Sequence, residues 1–116
     1  MIINDVSFDI DFTDADFIEK IETASKKVYE ETDKLKKEKL KDTDYTLAEG
    51  IRQECKILKE FLDYVLGDGT SEKLFGEKDS LHLCLKAFED IIKKKEEQVK
   101  SINELTERYS PERLER

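Results

Sequence analysis

The spacing of the apolar residues between Leu47 and Val65 most limits what this chain can fold into. Leu47, Ile51, Cys55, Leu58, Leu62 and Val65 recur every three or four positions, with Phe61 and Leu66 widening the stripe. That period places side chains on one face of an α-helix. The same spacing appears on both sides of this segment. Upstream it reads Phe17, Ile21, Ala24, Val28 and Leu35, with Ile18 alongside; downstream it reads Leu81, Leu85, Phe88 and Ile92. A polar run, KKKEEQ at 93–98, interrupts the last stripe before it resumes at Val99, Ile102 and Leu105. Charged residues make up 43% of the chain and hydrophobic ones 37%, a balance that disordered chains share. The periodicity decides for thin helical packing with wide solvated faces.

From Val6 to Phe12 the period changes to two. Val6, Phe8, Ile10 and Phe12 alternate with Ser7, Asp9 and Asp11, which predicts a half-buried strand. Extended back to Ile2 through a turn at Asn4–Asp5, it becomes a short hairpin. Thr13, followed by Asp14 and Asp16, is N-cap chemistry for the first helix, because a hydroxyl accepts from free backbone N–H groups and carboxylates face the positive helix end. That helix thins into KLKKEKLKD, so its second half is solvated, and the connection from Leu35 to Thr46 reads as either helix or loop. Thr43, Asp44 or Thr46 caps the second helix and Gly67 stops it. Ser110–Pro111 ends the last helix, since proline disfavours helix in the residue before it. The expected fold is therefore α-rich α+β, one domain over residues 1–116. A β-strand or hairpin over 1–12 precedes a bundle of three long helices over 13–109, with a one-turn helix in the second connection and a flexible tail over 110–116.

The segment GDGTSEKLFGEKDS, from Gly67 to Ser80, holds three of the four glycines and invites a chemical reading. As a calcium loop counted from Asp68 it fails, because the sixth position is Lys73 where a sharp turn needs glycine. As a phosphate loop it also fails, because its acids oppose an anion and no Lys-Ser/Thr pair opens a helix. The segment reads instead as an ordered corner. Thr70 or Ser71 caps a one-turn helix holding Leu74 and Phe75, Gly76 ends it, and Asp79 or Ser80 caps the last helix. His82 is the only histidine, and neither Cys84 nor Ser80 shares a helix face with it in the manner of a nucleophile and base. No catalytic residue, metal ligand set or cofactor motif is expected, and the chain reads as a non-enzyme.

Net charge is -8, and residues 1–19 contain six acids (Asp5, Asp9, Asp11, Asp14, Asp16, Glu19) and no base. Such an end repels phosphate backbones and anionic lipids, so neither nucleic acid nor membrane is an expected partner. No apolar run is long enough to span a bilayer and the N-terminus lacks the pattern of a signal peptide, which predicts a cytosolic protein. Cys55 and Cys84 both fall on apolar stripes and are expected as buried free thiols.

Three segments carry a resemblance: MIINDVSFDIDFTDADFIEKIE, DGTSEKLFGEKDSLHLCLKAFEDII and RYSPERLER. Together they resemble a family of small proteins from phages and prophages of Gram-positive bacteria, encoded among tail genes near those for the tail tube and tape measure. The ending PERLER has fewer basic residues than is usual in that family. The resemblance implies a tail assembly chaperone in the bacterial host cytoplasm. Its partners would be the tape measure protein, which such chaperones keep soluble, and the tail tube protein, with self-association as a further option. A tail completion or connector subunit of the virion and a small phage-encoded regulatory protein are the alternatives. A chaperone for a long helical client needs apolar strips and displaceable multivalent contacts. The expected contact residues are Val28 and Leu35 on the first helix and Val99, Ile102, Leu105 and Tyr109 on the last.

Overall fold

The computed structural model describes residues 1–41 and 44–108. Two short strands, β1 (Ile2–Ile3) and β2 (Val6–Ser7), precede four helices: α1 (Ala15–Lys41), α2 (Leu47–Leu66), α3 (Thr70–Phe75) and α4 (Leu81–Arg108). The chain is helix-rich with an N-terminal hairpin, as the periodicities require. The expectations for Thr43 as a cap, for Tyr109, for the Ser110–Pro111 stop and for the tail at 110–116 lie outside the described residues.

β1 and β2 pair antiparallel, Ile2 opposite Ser7 and Ile3 opposite Val6. Asn4 and Asp5 form the tip with φ of 46° and 66°, the left-handed conformation that a two-residue hairpin turn demands and that Asn and Asp tolerate best among non-glycine residues. The regular strand stops at Ser7, although Phe8 N–H still donates to Met1 O at 2.7 Å. Phe8 and Ile10 are half-buried and Phe12 is buried, so the alternation survives as an extended segment laid on the helices after the ladder has ended.

The helix starts follow local chemistry. Asp14, in place of the expected Thr13, caps α1: its Oδ1 accepts from Asp16 N–H at 3.0 Å. Thr13 is drawn away because its N–H and hydroxyl both donate to Asp11 Oδ1. Those bonds hold the Asp11 carboxyl below its usual range. At α2, Thr46 Oγ1 accepts from Glu49 N–H at 3.1 Å while Glu49 Oε2 accepts from Thr46 N–H at 3.2 Å, a reciprocal capping box. The first helix runs unbroken to Lys41, so the solvated KLKKEKLK stretch is helical.

α2 is the shared wall, packing against α1, α3 and α4, whereas α1 and α4 approach each other less closely. Its Cys55, Leu58, Phe61, Leu62 and Val65 join Ile21, Ala24 and Val28 of α1 and Cys84, Ala87, Phe88 and Ile91 of α4 in one core. Burying each large member contributes roughly 1.5–3 kcal/mol. Phe61 and Phe88 meet edge to face at 4.9 Å, which ties α2 to α4 at the centre.

The corner between α2 and α4 is held from outside. Thr70 and Ser71 do not cap α3 themselves, because its N-cap position is Gly69, at φ 85°, a conformation open to glycine and strained for other residues. Asp63 of α2 supplies the acceptors: its Oδ1 takes Ser71 N–H at 2.7 Å and its Oδ2 takes Ser71 Oγ–H at 2.9 Å. Leu74 and Phe75 are buried beneath, and Asn4 Nδ2 donates to Leu74 O at 2.6 Å, fastening the hairpin to the same end. Lys59 Nζ reaches Asp79 Oδ1 and Lys78 O, both at 2.8 Å, with its side chain only 17% exposed. This partly buried pair clamps the entry to α4, while the remaining ion pairs are solvent-exposed and add little.

Gly50 supplies a stability test. It sits inside α2, and a Cβ there would crowd only the end of the Lys39 side chain, Nζ at 2.6 Å, and lie in ordinary contact with Tyr45 Cε1 at 3.7 Å. Lys39 can swing aside, giving up its position 5.9 Å from the Tyr45 ring. Gly50→Ala should therefore stabilise the fold by about 0.5–1 kcal/mol through helix propensity, read as a higher urea midpoint with an unchanged slope.

Candidate functional site

No described helix is long and apolar enough to cross a membrane. Among the described residues no group of three or more His, Cys, Asp or Glu side chains converges as metal ligands would. His82 is exposed on the first turn of α4. The features that remain are apolar surfaces.

The first is the distal half of α4. Beyond Ile92 no residue of the helix is buried, and Val99, Ile102 and Leu105 are 39%, 36% and 51% exposed. Ile102 and Leu105 continue the helix face that carries Cys84, Ala87 and Ile91 into the core, but here no other helix among the described residues covers it. The interruption at 93–98 marks where the core ends.

Val28 and Leu35 behave differently from the exposed stripe expected of them. Val28 is 5% exposed and part of the core, and Leu35 is 7% exposed, because the α1 face that carries them packs on α2. Each is reachable only as the floor of a groove. Val28 lies beneath a depression of about 200 Å³ between α1 and α2, walled by Ile57, Phe61 and Tyr64, and Leu35 lies under its polar continuation beside Glu38 and Gln53. Leu40, 86% exposed, is an aliphatic residue of α1 that faces solvent, and it was not among the expected contacts. Leu47 at the start of α2 is 81% exposed, so the two mark an open distal end. Spacing could not reveal this for Leu47, which fits the α2 stripe, whereas Leu40 lies five residues past Leu35 and off the α1 stripe.

An apolar groove of about 400 Å³ runs between α1 and α4. Leu58, Leu85, Phe88 and Ile92 form its floor and wall with Val28, and Tyr29 stands at its edge, 60% exposed and 6.1 Å from the Phe88 ring.

The chain is a member of a family of unknown function, DUF6673, whose model matches residues 4–116. No curated protein and no solved structure matches it.

The two thiols of this DUF6673 member are fully buried, Cys55 on α2 and Cys84 on α4. Burial pushes the Cys84 thiol up to about 12, with the neighbouring Cys55 adding to the shift, and raises Cys55 as well. Both are packing groups, poorly suited to nucleophilic work. An unfolded thiol ionises near 9.0. Between about 9 and about 12 the folded chain keeps a proton that the unfolded chain has lost, so this contribution to stability declines as pH rises through that window. Melting temperature should therefore fall less steeply between about pH 8 and about pH 10 in Cys84→Ala than in the parent chain.

The two apolar classes separate by mutation. Val99→Glu with Ile102→Glu should leave thermal stability within about 0.5 kcal/mol of the parent, as exposed substitutions do, whereas Val28→Asp should cost several-fold more. Circular dichroism melts measure both.

Proposed function

We propose that this protein is a non-enzymatic tail morphogenesis factor of a phage or prophage, working as a tail assembly chaperone in the cytoplasm of the bacterial host. The observation that carries the protein-binding part of this reading is the uncovered face of distal α4, where Val99, Ile102 and Leu105 line one side of a helix that has outrun its core. An isolated chain gains nothing from three aligned apolar residues in water, whereas a client helix would cover them. The tail assignment rests on the resemblance of the hairpin, corner and C-terminal segments to the phage family.

In this reading α1, α2 and α4 form a three-helix bundle closed at the corner end and open at the other. The open end holds the tape measure protein through weak, repeated contacts that tail-tube subunits later displace. The acidic surface, with its net charge of -8, keeps the loaded complex in solution.

Co-expression with the tape measure protein of the same genome tests the proposal. The expected result is a client that turns soluble and copurifies with several copies of this chain, and a Val99→Glu/Ile102→Glu chain that folds normally but releases the client. A client that stays insoluble, or a chain that is found at fixed stoichiometry in purified particles, would replace the chaperone with a virion subunit.

A further inference from the structure

The groove between α1 and α4 has a chemical polarity of its own. Its floor is apolar, but its rim carries Glu54, Glu89 and Glu96 against the single base Lys93. Glu54 is oriented by the Thr32 hydroxyl, which donates to its Oε1 at 2.8 Å, and Glu89 and Glu96 are exposed. From Leu85 to Glu96 the α4 wall spans three turns, about 16 Å. Leu85, Ile92 and Val99 follow at seven-residue spacing, so the groove leads along one helix face onto the exposed distal surface.

We propose that this groove seats a basic amphipathic helix of another protein, with its apolar face against Leu85, Phe88 and Ile92 and its lysine or arginine flanks against Glu54, Glu89 and Glu96. Helix-in-groove docking needs an apolar trough at least three turns long and a rim whose charge selects the flanks, and both are present. Tyr29, packed edge-on against Phe88 yet open to solvent, offers such a helix an aromatic contact at the edge of the groove. A second copy of this chain fits less well, because its own distal α4 mixes the bases Lys94, Lys95 and Arg108 with the acids Glu96 and Glu107 along the apolar face, and those acids would meet an acidic rim.

This inference rests on reading the chain as a protein-binding protein, and not on the tail assignment. The full chain would be titrated with two labelled synthetic helices that share a leucine-rich face, one flanked by lysine and the other by glutamate. Fluorescence anisotropy should show the lysine helix binding tighter on the order of tenfold, with the preference shrinking as salt rises. Glu89→Lys with Glu96→Lys should abolish or invert that preference, and Tyr29→Ala should weaken both helices. Asp9→Lys with Asp68→Lys, the same charge change away from the groove, should leave the preference in place. Equal binding of the two helices, binding of neither, or a preference as sensitive to the distant pair as to the groove pair would overturn the proposal. So would sedimentation as a multimer that the lysine helix does not dissociate, which would put a second copy in the groove. Loss of client rescue with the peptide preference intact removes only the tail reading, and rescue without the preference removes only the groove.

Discussion

Burial of α2 on two sides is the constraint on which the rest of the molecule depends. α1 brings Ile21, Ala24 and Val28 and α4 brings Cys84, Ala87, Phe88 and Ile91, and neither set could form a core with solvent behind it. α2 faces both, with Leu58, Phe61 and Leu62 at the centre of its apolar arc and Cys55 and Val65 toward the ends. A helix with so wide an arc is stable only when it is covered from two directions, and that fixes its place between the others. It also explains why α1 and α4 meet mainly through Tyr29 and Phe88 and leave a trough between them. Two helices that share a wall need not touch each other.

The molecule is tied at one end and loose at the other. At the corner end Asp63, Lys59 and Asn4 each bridge separate elements, and Leu74 and Phe75 seal the core beneath them. At the far end lengths do not match: α4 has 28 residues and α2 has 20, a difference of about 12 Å of helix. Whatever α2 does not reach stays uncovered. The chain accordingly extends 66 Å along its longest axis with a radius of gyration of 17.9 Å, against about 13 Å for a compact domain of this size. Uneven helix length, which adds nothing to folding stability, leaves an apolar surface exposed.

Much of this was legible in the residues because the signals were local. The turn at Asn4–Asp5, Thr46 as a cap of α2 and the glycine stops at Gly67 and Gly76 all act over a few positions, and the structure follows each of them, while the period-two run from Val6 keeps its alternation to Phe12 although the strand itself ends at Ser7. Competition between neighbours was harder to read. Thr13 and Asp14 are both good caps, and the choice fell to Asp14 because Asp11 claims the Thr13 donors. Ser71 looked like the cap of α3, but Asp63, eight residues upstream, satisfies its N–H. A side chain brought in by tertiary packing leaves no trace in the local pattern.

The candidate contact residues show the same limit more sharply. Val28 and Val99 are the same residue type on the same kind of stripe, and sequence treats them alike. Their fates differ because α2 lies opposite Val28 and has ended short of the face of Val99. Exposure is thus a property of where the neighbouring helix stops, which depends on how α2 and α4 are offset at the corner. The polar run at 93–98 was the one available clue, since charges can break an apolar stripe without cost only where the core has already ended. In a chain built on one shared wall, interruptions of a stripe mark the edge of the wall, and the apolar residues beyond them are those that the fold itself does not use.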